Sequence, residues 1–131
     1  MKISVRTSAA LVFLTLTILL VMAASPQDEP KPRQIVIVAK EMAFFFENRT
    51  EQDSVNPTII VRAGERITLI LRNEDPGMRH DLVIADLGLR TRVTSYGETA
   101  TLTFRVPGDP GAYAYLCSLH PAMMTGELVV E

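Results

Sequence analysis

Tyr113-Ala114-Tyr115-Leu116-Cys117-Ser118-Leu119-His120-Pro121-Ala122-Met123-Met124-Thr125-Gly126-Glu127-Leu128-Val129-Val130 is the stretch on which the reading of this chain turns. Tyr113 to Cys117 is aromatic and small-apolar, the composition of a strand, and Gly126 to Val130 reads as a second strand. A short loop therefore joins them. A strand that ends in a thiol, followed by a loop carrying an imidazole and a thioether, can converge three donors on one ion.

Upstream, short runs rich in β-branched and aromatic residues alternate with Gly, Pro, Asn and Asp, which predicts an all-β sandwich or barrel. Strands are expected at Ile35 to Ala39, Phe44 to Phe46, Thr58 to Arg62, Arg66 to Arg72, Asp81 to Ala85 and Thr99 to Val106. In Arg66 to Arg72 the residues Ile67, Leu69 and Leu71 form one apolar face, which belongs in the core. In Thr99 to Val106 the alternation of Ala100, Leu102, Phe104 and Val106 with Thr101, Thr103 and Arg105 is complete. Glu47 to Pro57 is polar, contains the glycosylation triplet Asn48-Arg49-Thr50, and is expected to be an exposed loop. Met42 is expected in the core and Met78 as loop filling, while Tyr113 and Tyr115 are expected to pack the sandwich.

Cys117 is the only cysteine and His80 and His120 are the only histidines. No intrachain disulfide can form, so the thiol is free, oxidised, paired between chains or metal-bound. His80 follows the turn-rich Asn73-Glu74-Asp75-Pro76-Gly77, where strand pairing could place it beside the Cys117 loop. Two imidazoles, a thiolate and a thioether suit copper in both oxidation states, because sulfur stabilises the reduced ion and nitrogen accommodates the oxidised one. Zinc could use the same histidines and cysteine, but a methionine fourth ligand is unusual for it. A nucleophile–base pair of Cys117 and His120 lacks an orienting third group and oxyanion donors, so no enzyme is read here.

These residues resemble the cupredoxins, the blue type 1 copper proteins such as plastocyanin, amicyanin and azurin. The resemblance covers about residues 35–131 and rests on Cys117, His120 and Met124-Thr125-Gly126-Glu127-Leu128, with Asn73, Asp75 and His80 upstream. It implies a Greek-key β-sandwich of about seven or eight strands. It also implies one type 1 copper ion held by His80, Cys117 and His120 near trigonally, with a methionine placed axially. The consecutive methionines leave that fourth position open. Met123 has the spacing of the most compact relatives, and Met124 stands in frame with the strand that follows, which favours Met124. Asp81 stands where these relatives often carry asparagine, and it can accept a bond from Ser118 but not donate one.

The N-terminus reads as an address. Lys2 and Arg6 precede an apolar run from Ala9 to Ala24, which ends in the small residues Ala23-Ala24-Ser25. Residues 1–24 are thus expected to be a cleaved signal peptide, since about 16 residues fall short of the roughly 20 that span a bilayer. An uncleaved anchor is the alternative. Residues 25–34, with three prolines, are expected to form a tether, and residues 35–131 one copper-binding domain. Net charge is −2, and about −4 without Lys2 and Arg6, too mild for a nucleic-acid partner. The expectation is a monomeric electron carrier, periplasmic or extracellular, with no membrane span in its mature form. Its partners would be transient redox proteins such as c-type cytochromes or a terminal oxidase. Copper handling without electron transfer is the alternative.

Overall fold

Strand pairing dominates the computed structural model, which describes residues 30–48 and 54–131. The strands are β1 Arg33–Lys40, β2 Ala43–Phe46, β3 Ile59–Val61, β4 Arg66–Asn73, β5 Val83–Ile84, β6 Leu89–Arg90, β7 Thr99–Arg105, β8 Gly111–Leu116 and β9 Thr125–Val130. They form two sheets, one ordered β2-β1-β4-β7 and the other β3-β9-β8-β5-β6. The pairs β1–β4 and β3–β9 are parallel, so the chain crosses between the sheets instead of running as one meander. Residues 1–24, and residues 25–29 of the tether, lie outside the described residues, as do residues 49–53 of the expected loop.

The alternating pattern in β4 has the predicted consequence, because Ile67, Leu69 and Leu71 are fully buried. Register extends that face across the sheet, with Ile35, Leu69 and Leu102 in one row across β1, β4 and β7, and Ile37, Leu71 and Ala100 in the next. Ile59, Leu128, Val130, Ile84 and Tyr115 supply the facing layer of the same core. Burying each large aliphatic side chain stabilises the fold by about 1.5–3 kcal/mol, and this shared core holds the two sheets face to face.

Several boundaries differ from the sequence expectation. β1 begins at Arg33, because Arg33 and Gln34 pair with Ile67 and Thr68. The expected strand from Asp81 to Ala85 keeps only Val83–Ile84. Asp81 is turned to Ser118, and a 3-10 turn begins at Ala85. Leu89–Arg90 was not foreseen, since two residues are too few to show a period. Met42 is not core: with φ of 60° it sits half-buried in the tight β1–β2 turn. The segment after residue 53 is less exposed than expected, because Pro57 is buried and Asn56 is bonded on both sides.

Gly126 has a definite reason to be glycine. It pairs with Tyr115 across β8–β9, and a Cβ there would overlap Tyr115 Cζ and Oη. Tyr115 has little room to retreat. Its ring lies 5.5 Å from that of Phe44, its hydroxyl donates to the Pro57 carbonyl at 2.6 Å, and burial pushes its ionisation above the usual tyrosine range. Gly126→Ala is expected to destabilise the protein by about 1–3 kcal/mol through overpacking. Urea unfolding measures it, and an unchanged midpoint contradicts the account.

Candidate metal centre

Cys117 stands one residue beyond the end of β8, and β9 begins at Thr125, so the loop between them is clamped at its base by two strands. The Cys117 amide donates to the Met124 carbonyl at 3.0 Å and closes the loop. Within it the amides of Met123 and Met124 donate to the His120 carbonyl, at 3.2 and 3.0 Å, and the His120 amide donates to Cys117 at 3.2 Å. This compact turn folds His120 back over Cys117.

His80 comes from the other side. Asn73 ends β4 and organises the following turn, with Nδ2 donating to the carbonyls of Met78 and Thr94 at 3.0 and 2.9 Å and Oδ1 accepting from the Asp75 amide at 2.9 Å. His80 then pairs with Thr94 through two backbone bonds of 3.0 and 2.7 Å, which fixes its main chain beside the Cys117 loop. The result is a cluster in which Cys117 Sγ lies 3.8 Å from His80 Nδ1 and 3.7 Å from His120 Nδ1. The two imidazole rings are 5.0 Å apart. One ligand atom from each residue lies within 4.8 Å of the others, spacing that one ion bonded at about 2.0–2.3 Å can bridge.

The two methionines part company. Met124 is fully buried in the core that contains Cys117, whereas Met123 is 58% exposed. Asn56 Nδ2 donates to the Met123 carbonyl at 2.9 Å, while its Oδ1 accepts from the Phe44 amide at 3.0 Å. The loop is thus braced from outside. Sequence reasoning missed Asn56 because it lies in a polar stretch with no periodicity; the turn-forming pair Asn56-Pro57 was the signal available, and Asn56 takes up a left-handed φ of 49°, where asparagine is enriched.

Asp81 ties the two ligand segments together. Its Oδ1 accepts from the Ser118 amide and its Oδ2 from the Ser118 hydroxyl, both at 2.7 Å, and Arg90 bonds Oδ2 at 3.0 Å. Burial raises its ionisation, but the bonds from Ser118 and Arg90 outweigh that and leave it below the usual carboxylate range. His80 is lowered from the ordinary imidazole value, chiefly by burial and only partly opposed by its bond to Asp75. It is therefore neutral at physiological pH, with a lone pair free to bind a metal.

That shift carries a stability consequence in the metal-free protein. Below the unfolded imidazole value of about 6.5 the unfolded chain binds a proton that folded His80 resists. Stability is full above that pH and falls as pH drops, by at most about 1.4 kcal/mol per unit from this group. Asp81 adds the same sign nearer the carboxylate range, since its folded value is also lowered. Urea midpoints of the metal-free protein at about pH 7.5 and about pH 5.5 test this, and equal midpoints contradict it.

Two imidazoles and a buried thiol, with a buried thioether in the adjoining core, fit a soft-to-borderline ion better than Mg or Ca. The closed packing leaves His120 the partly exposed member of the cluster. Residues 11–130 match the cupredoxin-like domain family. No curated protein matches the chain in sequence. Among solved structures it is similar to auracyanin A, a "blue" copper protein from Chloroflexus aurantiacus, at 25% identity and TM-score 0.59 over 76% of this chain and 99% of that one. It is also similar to dithionite-reduced auracyanin from Roseiflexus castenholzii, at 21% identity and TM-score 0.57 over 75% and 96%. A rusticyanin variant matches at 20% identity and TM-score 0.55 over 79% and 80%.

Proposed function

The chain belongs to the cupredoxin-like family, and from that premise we propose that it is an exported type 1 copper protein carrying single electrons between redox partners. The observation that carries the reading is the convergence of His80 Nδ1, Cys117 Sγ and His120 Nδ1 in a cluster packed shut on every side but that of His120. These three residues are the equatorial ligands, and Met124, buried where Met123 is exposed, is the fourth. A copper ion held there would cycle between Cu(I) and Cu(II).

The residues around the site do the rest. Asp81, Ser118 and the Cys117–Met124 bond hold the donors in place, so little rearrangement accompanies a change of charge. His120 is the route for electrons, since it reaches the surface beside the exposed side chains of Leu119 and Met123. That small apolar set suits brief contacts with proteins such as c-type cytochromes or a terminal oxidase. The domain acts as a monomeric carrier and not as an enzyme. Export to the periplasm or outside rests on residues 1–24; among the described residues, no helix is long and apolar enough to cross a membrane.

The exposed thioether of Met123 favours a second reading, in which the site loads and releases Cu(I) as a copper carrier. Reconstitution with Cu(II) separates the two. Electron transfer predicts an intense visible thiolate-to-copper band, a reversible one-electron wave and slow loss of copper to a chelator. A colourless protein sinks the type 1 assignment, and rapid exchange without a reversible wave favours the carrier. Met124→Leu is expected to shift the reduction potential strongly and Met123→Leu to leave it nearly unchanged, the reverse pattern making Met123 the axial ligand.

A further inference from the structure

His80 has two ring nitrogens, and only Nδ1 faces Cys117. Its Nε2 lies 3.1 Å from Oδ2 of Asp75, whose carboxylate is otherwise held by the protein: the Met42 amide donates to the same oxygen at 3.0 Å. The turn at Glu41 and Met42, both with positive φ, aims that amide, and the Glu74 amide donates to Ala39 at 2.8 Å to lock the segment against β1. Asp75 is thus placed by two elements outside the ligand loops, with its side chain only 13% exposed and the His80 side chain fully buried.

We propose that Asp75 is a positioning residue for His80. It accepts a hydrogen bond from the Nε2–H, fixes the tautomer that presents an unprotonated Nδ1 to the metal, and by its charge makes that nitrogen a stronger donor to Cu(II) than to Cu(I). This rests on the copper reading above. A carboxylate behind a metal-bound imidazole holds the ring orientation and raises its basicity, and loss of such a partner weakens metal binding by about 10–100-fold. The effect falls harder on the more highly charged ion, so Asp75 lowers the reduction potential. His120 ends in a half-exposed position, so the two imidazoles are not equivalent.

Two variants separate charge from geometry. Asp75→Asn keeps an oxygen that can accept from both His80 Nε2 and the Met42 amide but removes the charge. Asp75→Ala removes the acceptor altogether. Nitrogen-15 NMR of the full metal-free protein is expected to show His80 protonated at Nε2 in the wild type and in Asp75→Asn, and a mixture of tautomers in Asp75→Ala. After Cu(II) loading, Asp75→Asn is expected to lose about tenfold in affinity for Cu(II) relative to Cu(I), which raises the potential by about 59 mV. A wild-type His80 protonated at Nδ1 overturns the positioning role, and unchanged potentials in both variants overturn the electrostatic one. The tautomer is read without metal, so a protein that takes up no copper defeats the copper reading and the potential shift while the NMR result still decides the positioning.

Discussion

Cys117→Ser is expected to abolish the intense visible absorption of the copper-loaded protein while leaving the fold intact. The band requires charge transfer from a thiolate sulfur, and no other cysteine exists to replace it. Serine is close in shape to the buried thiol, so the core around Tyr115 and Met124 keeps its packing. Its oxygen is a hard, protonated donor at neutral pH and a poor ligand for Cu(I). Affinity for the reduced ion is expected to fall by more than the roughly 10–100-fold that follows loss of an outer partner. Absorption spectra and Cu(I) competition measure both effects, and a retained band contradicts the placement of sulfur at the centre.

Asp81→Ala is expected to have the largest effect on stability. The fully buried carboxylate receives two bonds from Ser118, a residue that is itself exposed, so its removal breaks both bonds while water takes over part of what the Ser118 donors lose. Hydrogen bonds to a charged group contribute about 1.5–3 kcal/mol each, and with the Ser118 donors rehydrated in part their combined loss is expected to lower stability by about 2–4 kcal/mol. No part of this is assigned to Arg90, whose side chain is 62% exposed. Asp81→Asn is the informative control, because an amide can accept from the Ser118 amide with its oxygen and donate to the Ser118 hydroxyl with its nitrogen. It should recover most of the stability while removing a negative charge near Cys117, and so raise the reduction potential. Urea unfolding of the metal-free variants gives the first comparison and voltammetry of the copper forms the second. If Asp81→Ala unfolds at the wild-type midpoint, the two ligand segments are not held together as described.

The strands legible from sequence were those with one clean buried face. β4 and β7 each alternate over a full strand, and a period of two is all that is needed to name the inward residues. β5 and β6 are two residues each and have no period to read. His80, Cys117 and His120 were legible as a set because they exhaust the cysteine and histidine of the chain, and their side chains meet where the sandwich brings the two loops together. Asp75, Asn56 and Gly126 were visible as residues, but their contacts were not. Asn56 and Gly126 act on partners far away in the sequence or across a sheet, and Asp75, though near His80 in sequence, is aimed by the Met42 amide from another element, so no local pattern encodes these meetings.

The sequence by itself determined the available donors, one thiol with two imidazoles and a thioether, and the all-β class, sandwich or barrel, implied by its alternating strands. Those properties follow from residue type and local period. Only the tertiary structure decided which methionine is buried, which nitrogen of His80 faces Cys117, and that two carboxylates, Asp75 and Asp81, stand behind the site. Those depend on distance between segments, which strand register and loop closure set and which adjacency in sequence does not.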